Sequence, residues 1–172
     1  MGLHKGLARL NALSYADAKA ELLKCCGSMS WAQQLAAHRP YSNVEELMTT
    51  AEQIWWRLGE QDWLEAFSAH PQIGGRKAER PQEAQAQTWS EQEQAGARGI
   101  DETTRGELAE ANRIYAEKFG YIFIVCATGK TAAEMLALLR ARLQNDPAVE
   151  LRNAADEQRK ITRLRLEKLL TQ

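Results

Sequence analysis

Ser42-Asn43-Val44-Glu45-Glu46-Leu47-Met48-Thr49-Thr50-Ala51-Glu52-Gln53-Ile54-Trp55-Trp56-Arg57-Leu58-Gly59 carries an unbroken apolar stripe. Val44, Leu47, Met48, Ala51, Ile54, Trp55 and Leu58 recur at steps of three and four, which aligns them along one side of an α-helix and does not fit the alternation of a strand. Ser42 with Glu45 reads as a capping box and Gly59 as a stop. The stretch therefore predicts a helix with one face in the core.

The same signals repeat on both sides. Upstream, Ser14 with Asp17 opens a helix that Gly27 closes, and Ser28 or Ser30 opens one that stops before Pro40. Downstream, a short helix is expected around Gln61 to Ser68, with Trp63, Leu64 and Phe67 on one side. The chain then breaks into His70-Pro71-Gln72-Ile73-Gly74-Gly75 and stays polar to Thr88, which predicts a loop. A short helix is expected to begin near Ser90, and a longer one runs from Asp101 to Phe119, stopped by Gly120. Thr131 with Glu134 caps a helix to about Asn145, and Asp146-Pro147 opens a last one reaching Leu170. Tyr121 to Cys126 is the one continuous apolar, β-branched run, and periodicity does not separate strand, extended segment and buried helix start. We read it as extended or irregular, with no true sheet. The expectation is an all-α chain, a single-domain irregular multihelical array of about eight helices occupying residues 1–172.

With 172 residues, 44% of them hydrophobic, the chain is long enough for one sizeable core. Lys and Arg total 22 against 23 Asp and Glu, so there is no broad positive field for nucleic acid or an anionic membrane, and neither is expected as a partner. Cys25-Cys26 and the distant Cys126 form neither a disulfide framework nor metal spacing, which fits a reducing, cytoplasmic compartment. The N-terminus lacks the apolar stretch of a signal peptide, no run is long enough to span a bilayer, and Leu170-Thr171-Gln172 does not match a peroxisomal address.

Of the histidines, His4 and His38 read as surface residues. His70 differs, because Pro71 pushes it out of helical geometry and Gly74-Gly75 permit close backbone approach to a ligand. An ordinary helix-end cap remains open for it. Ser90-Glu91-Gln92-Glu93 reads as a capping box, but Thr88 with Glu91 offers another, which would release Glu93 and Gln94 to point elsewhere. In the last helix Leu151, Ala154, Gln158, Ile161 and Leu169 share a face that also holds Arg165, while Arg152, Arg159 and Arg163 cluster opposite. A guanidinium on a buried stripe needs a carboxylate or an anionic ligand, and a structural salt bridge and a ligand clamp both stay open. Gly129-Lys130-Thr131 is not a phosphate loop, since Ile124 stands where that motif needs glycine. No second histidine lies at ligand spacing, so no metal site is expected.

Four stretches in this order resemble the 2-oxo-4-hydroxy-4-carboxy-5-ureidoimidazoline (OHCU) decarboxylase family. They are Ala69-His70-Pro71 with Ile73-Gly74; Ser90 to Gly96, with Ser90, Glu93 and Gln94 as its core; Asn112 to Ala127; and Glu157-Gln158-Arg159-Lys160-Ile161-Thr162-Arg163-Leu164-Arg165-Leu166. The resemblance implies an irregular multihelical fold, a homodimer, and a small ureido-imidazoline substrate. It implies that His70 is the catalytic acid/base, that Glu93 and Arg165 act with it, and that Pro71 lines the pocket. Ser90, Glu91, Gln92, Glu93 and Gln94 would form a second wall, with Glu93 orienting the His70 ring or favouring its imidazolium form. Backbone groups of Phe123, Ile124, Val125, Cys126 and Ala127 would contact the ring, and Arg165 would hold an anionic or carbonyl group. Such a substrate is its own electron sink, so no cofactor is implied. A competing expectation is a non-enzymatic helical interaction module, which would use the five tryptophans and the apolar stripes for docking and expose an apolar patch. A third is another hydrolase or lyase acting on a cyclic ureide.

Overall fold

Ser14, Ser28, Asn43, Asp101 and Thr131 each accept a hydrogen bond from the backbone N–H three residues on, and each starts a helix. The computed structural model describes residues 2–74 and 84–172. Its elements are α1 (Gly2–Ala12), α2 (Tyr15–Cys25), α3 (Met29–Ala37), α4 (Val44–Arg57), α5 (Glu60–Ser68), α6 (Ala84–Glu93), a 3-10 turn (Ala95–Ala97), α7 (Glu102–Phe119), α8 (Ala132–Arg142) and α9 (Pro147–Thr171). Among the described residues there is no strand or sheet, and the fold is all-α as expected. No helix of the described residues is long and apolar enough to cross a membrane.

Several boundaries differ from expectation, each for a local reason. Asn43, not Ser42, caps α4, because its side chain takes the Glu46 N–H while the Ser42 N–H is bound by the Glu46 carboxylate. Ser90 opens no helix: α6 begins at Ala84 and ends at Glu93, and Thr88 turns its hydroxyl back onto the Ala84 carbonyl at 3.0 Å. The alanines and glutamines before Thr88 are good helix formers that a loop reading undervalues. Residues 75–83 of the expected loop, Gly75 included, lie outside the described residues. Helix α8 stops at Arg142 rather than near Asn145. Helix α1 has no cap signal in the sequence and forms against other helices, burying Leu7 and Leu10.

The chain divides into two compact units, residues 1–66 with 159–172, and residues 67–158. In the first, the α4 stripe is buried at Leu47, Met48, Ala51, Ile54 and Trp55. Trp31 is fully buried and donates its indole N–H to the Ala51 carbonyl at 3.0 Å, and Trp63 does the same to Trp55 at 3.0 Å. Both of these large aromatic surfaces are thus removed from water with their indole N–H groups paired.

Helix α1 meets the end of α9 at Gly6, where an added Cβ would lie 1.9 Å from the Leu170 carbonyl oxygen. Gly6→Ala is therefore expected to cost about 1–3 kcal/mol. Gly106→Ala, in α7 with open space around it, should instead stabilise by up to about 1 kcal/mol. Urea titration of both variants checks the pair.

Cys25 and Cys26, at the end of α2, are buried. Burial pushes both thiols up, Cys26 from 9.0 to about 11. In the second unit burial likewise raises Tyr121 from 10.0 to about 12. A pKa raised on folding means that the folded state holds its proton more tightly. The associated stability is present below the unfolded pKa and lost as pH rises through the folded one. The melting temperature should fall as the pH goes from 9.0 towards about 11, and Cys26→Ala should flatten part of that fall.

The second unit packs Leu108 and Tyr115 of α7 and Met135 and Leu139 of α8 against Phe123 and Val125. The run from Tyr121 to Cys126 is irregular, neither helix nor strand. Side chains bind its backbone instead. Arg142 donates to the Ile124 carbonyl at 2.6 Å, and Lys130 to the Cys126 carbonyl at 2.7 Å. Arg142 also stacks over the Phe123 ring, 4.5 Å from its centroid, and pairs with the fully buried Glu150 at 2.5 Å. Glu150 accepts further hydrogen bonds from Tyr115 Oη at 2.5 Å and Asn145 at 3.0 Å.

Candidate active site

His70 follows α5, its N–H closing the last turn onto the Phe67 carbonyl at 3.1 Å. Its ring is buried, although it stands just beyond a helix end. Nε2 lies 2.5 Å from Oε1 of Gln158, a residue of α9 with no exposed surface. Pro71 turns the chain, and its carbonyl accepts a hydrogen bond from Gln94 Nε2 at 3.4 Å. Asn112 of α7 holds the Ile73 carbonyl at 3.2 Å. Gly74 adopts φ +91°, a left-handed conformation that favours glycine.

Ser90 and Glu93, in the last turn of α6, are buried, whereas the Glu91 and Gln92 side chains are exposed. The helical register explains the split, since Ser90 and Glu93 are three apart and share a face. The turn Ala95–Ala97 follows at once. A Cβ on Gly96 would lie 1.9 Å from the Lys130 carbonyl, so only glycine allows this close approach to the turn that precedes α8.

Cys126 lies beside these groups. Its backbone N–H donates to Glu157 of α9 at 2.7 Å. Burial, and then the Glu157 carboxylate, push its thiol above the ordinary range; Lys130 opposes this, and Glu93 adds to it. Consecutive residues of α9, Glu157 and Gln158, therefore hold Cys126 and His70. Phe123, Ile124, Val125 and Ala127 are all buried. Yet the N–H groups of Val125 and Ala127 and the carbonyl of Val125 have no hydrogen-bond partner among the described residues. Buried backbone groups are seldom left so, and polar groups on a buried segment invite a polar ligand.

The second unit thus carries His70, Pro71, Ser90, Glu93, Gln94 and residues 123–127. Arg165 belongs to the first unit, where it is 4% exposed and donates to the Lys24 carbonyl at 3.4 Å. Cys25 and Cys26 lie within reach of its charge. His4 and His38 are exposed, as expected. Gly129-Lys130-Thr131 is a turn whose threonine caps α8. Sequence reasoning placed Gln158 on the buried stripe without a role, and it missed Glu157; a buried amide demanding a partner was the available signal. Among the described residues, exposed large apolar side chains come singly from six helices, as Leu3, Tyr15, Met29, Ile114, Leu138 and Val149.

The family profile described as OHCU decarboxylase matches residues 11–167 and so spans residues of both units. The chain is 43% identical over 148 residues to the uric acid degradation bifunctional protein TTL of Arabidopsis thaliana, an alignment covering 86% of this chain and 45% of that protein. It is 33% identical to the 2-oxo-4-hydroxy-4-carboxy-5-ureidoimidazoline decarboxylase of Mus musculus, covering 78% of this chain and 75% of the mouse protein. Among solved structures it is similar to a crystal structure of OHCU decarboxylase in the presence of (S)-allantoin, with TM-score 0.76 and 44% identity over 88% of this chain and 98% of that one. The chain spans less than half the length of the bifunctional relatives it matches.

Proposed function

The chain belongs to the OHCU decarboxylase family, and on that premise we propose that residues 1–172 act as one domain that decarboxylates 2-oxo-4-hydroxy-4-carboxy-5-ureidoimidazoline to (S)-allantoin in urate breakdown. The observation that carries the reading is the pairing made by α9, where Glu157 and Gln158 hold the segment with unpaired backbone groups and the buried His70. A ureido-imidazoline is rich in N–H and C=O groups, the complement of what Val125 and Ala127 present.

The chemistry balances without a cofactor. The bond to the carboxylate breaks and carbon dioxide leaves. The released electron pair joins the carbon that bore it to the neighbouring ring carbon, and the imine pair of that carbon moves onto the ring nitrogen, which takes a proton. The hydroxyl then gives up its proton as the ureido-bearing carbon gains one, so one proton is consumed overall. His70 handles these protons, since an imidazole can both give and take one. Glu93 works beside it. Pro71, Ser90 and Gln94 wall the substrate together with the backbone from Phe123 to Ala127. Glu91 and Gln92 support that wall through the backbone of α6, since their side chains face outward.

Arg165 is assigned the substrate's anionic or carbonyl group. The assignment is carried by the family resemblance, whose closing motif from Glu157 to Leu166 includes Arg165. The reading includes a cytoplasmic location, carried by the cysteine usage, and a homodimer, carried by the family resemblance. The interaction-module alternative has less support, since among the described residues no single helix presents more than one exposed large apolar side chain.

The test generates the substrate in situ by oxidation of urate and ring hydrolysis, adds the purified chain with a chelator, and follows circular dichroism. One enantiomer of allantoin should form faster than the racemic background. A trace unchanged by the chain would sink the proposal.

A further inference from the structure

An amide oxygen only accepts hydrogen bonds, so the 2.5 Å contact between His70 Nε2 and Gln158 Oε1 requires that Nε2 carry a hydrogen. Gln158 is fully buried, on a helix of 25 residues, and α9 advances in register so that Gln158 shares its face with Ala154 and Ile161, both buried as well. A buried amide on such a face is costly unless it is bonded, and here its oxygen is spent on the imidazole. The ring in turn sits at the start of an irregular stretch, after α5 has ended, where its own backbone would not fix it.

We propose that Gln158 is a positioning residue for His70: it holds the imidazole as the Nε2–H tautomer and in one orientation, which commits Nδ1 to the proton traffic of the reaction. The inference rests on the decarboxylase reading for its catalytic meaning, while the hydrogen bond itself does not. A neutral amide suits the task. A carboxylate in this place would favour the imidazolium form, whereas an amide orients the ring without imposing a charge on it, so the ring remains able to give and to take a proton. The role is the one that a carboxylate or carbonyl partner plays for a metal-bound or catalytic histidine, fixing which nitrogen is the working one. Glu157, the preceding residue, binds the Cys126 N–H at 2.7 Å. One turn of α9 therefore sets both the histidine and the segment that follows Phe123.

The experiment records long-range proton–nitrogen NMR spectra of the 15N-histidine-labelled chain, alongside steady-state kinetics by circular dichroism, for the wild type, Gln158→Leu and Gln158→Glu. The wild-type His70 ring should show the Nε2–H tautomer. In Gln158→Leu that signature should give way to a mixture, with kcat reduced by up to about 100-fold and KM little changed. Gln158→Glu keeps an oxygen acceptor at the same reach, so it should retain hydrogen on Nε2 and recover part of the lost kcat. Should Gln158→Leu fail to fold, the wild-type spectrum and Gln158→Glu still decide. A wild-type ring with bare Nε2 overturns the proposal, as does a folded Gln158→Leu chain with the wild-type tautomer and kcat. A tautomer that depends on Gln158 in a chain that gives no acceleration overturns the decarboxylase reading and leaves the orienting bond standing.

Discussion

His70→Ala is expected to slow the formation of optically active allantoin by about 10²–10⁴-fold, the contribution a positioned general acid or base makes. The remaining product should be racemic, because the substrate decarboxylates by itself and only a proton delivered by the protein distinguishes the two faces. Rate and optical purity thus fall together, whereas a variant that merely bound substrate less well would lose rate and keep the enantiomer. Removing the imidazole also takes the partner away from the Gln158 oxygen at 2.5 Å, which should cost about 1–3 kcal/mol of stability. The comparison is therefore made well below the melting temperature, with far-ultraviolet dichroism to verify the helices. A His70→Ala chain that still yields one enantiomer at close to the wild-type rate would remove His70 from the chemistry.

The largest stability effect is expected at Glu150. It has no exposed surface and binds Arg142 at 2.5 Å, Tyr115 at 2.5 Å and Asn145 at 3.0 Å. Glu150→Ala leaves the nearly buried Arg142 guanidinium without its counter-charge, and breaking such a pair typically costs about 3–5 kcal/mol. Replacing both partners by apolar residues of similar volume, as in Arg142→Met with Glu150→Leu, should recover much of that loss, because no charge is then stranded. Arg142 also holds the Ile124 carbonyl at 2.6 Å. The double variant should therefore regain stability while its site segment stays loosened, and kcat should remain low. Urea titration and the dichroism assay read the two effects separately. A double variant no more stable than Glu150→Ala would contradict this account.

The helices legible in the sequence are those that carry their own punctuation. Asp101 and Gly120 bracket α7, Thr131 with Glu134 caps α8 as a capping box, and Pro147 opens α9. Helices without local signals were missed or misplaced. Helix α1 forms because Leu7 and Leu10 find a core, and α6 starts six residues before the Ser90 that looked like its cap. Capping boxes are short and recur by chance, so a Ser-x-x-Glu pattern in the last turn of a helix reads the same as one in the first.

Site residues divide along the same line. His70 stood out because proline and glycine around it break local structure, and the apolar run at 121–126 because nothing else in the chain is like it. Those properties are local, set by backbone sterics and by hydrophobic periodicity, and so the sequence by itself determined an all-helical chain, its main helix limits and which of its histidines stands at a break in local structure. Tertiary structure alone decided that Gln158 meets Nε2 of His70, that Glu157 binds the Cys126 N–H, and that Glu150 sits among Arg142, Tyr115 and Asn145. Each of these depends on partners between 5 and 88 positions apart along the chain. Hydrogen bonds and ion pairs act over a few ångströms of space, and no spacing rule within one element reports them.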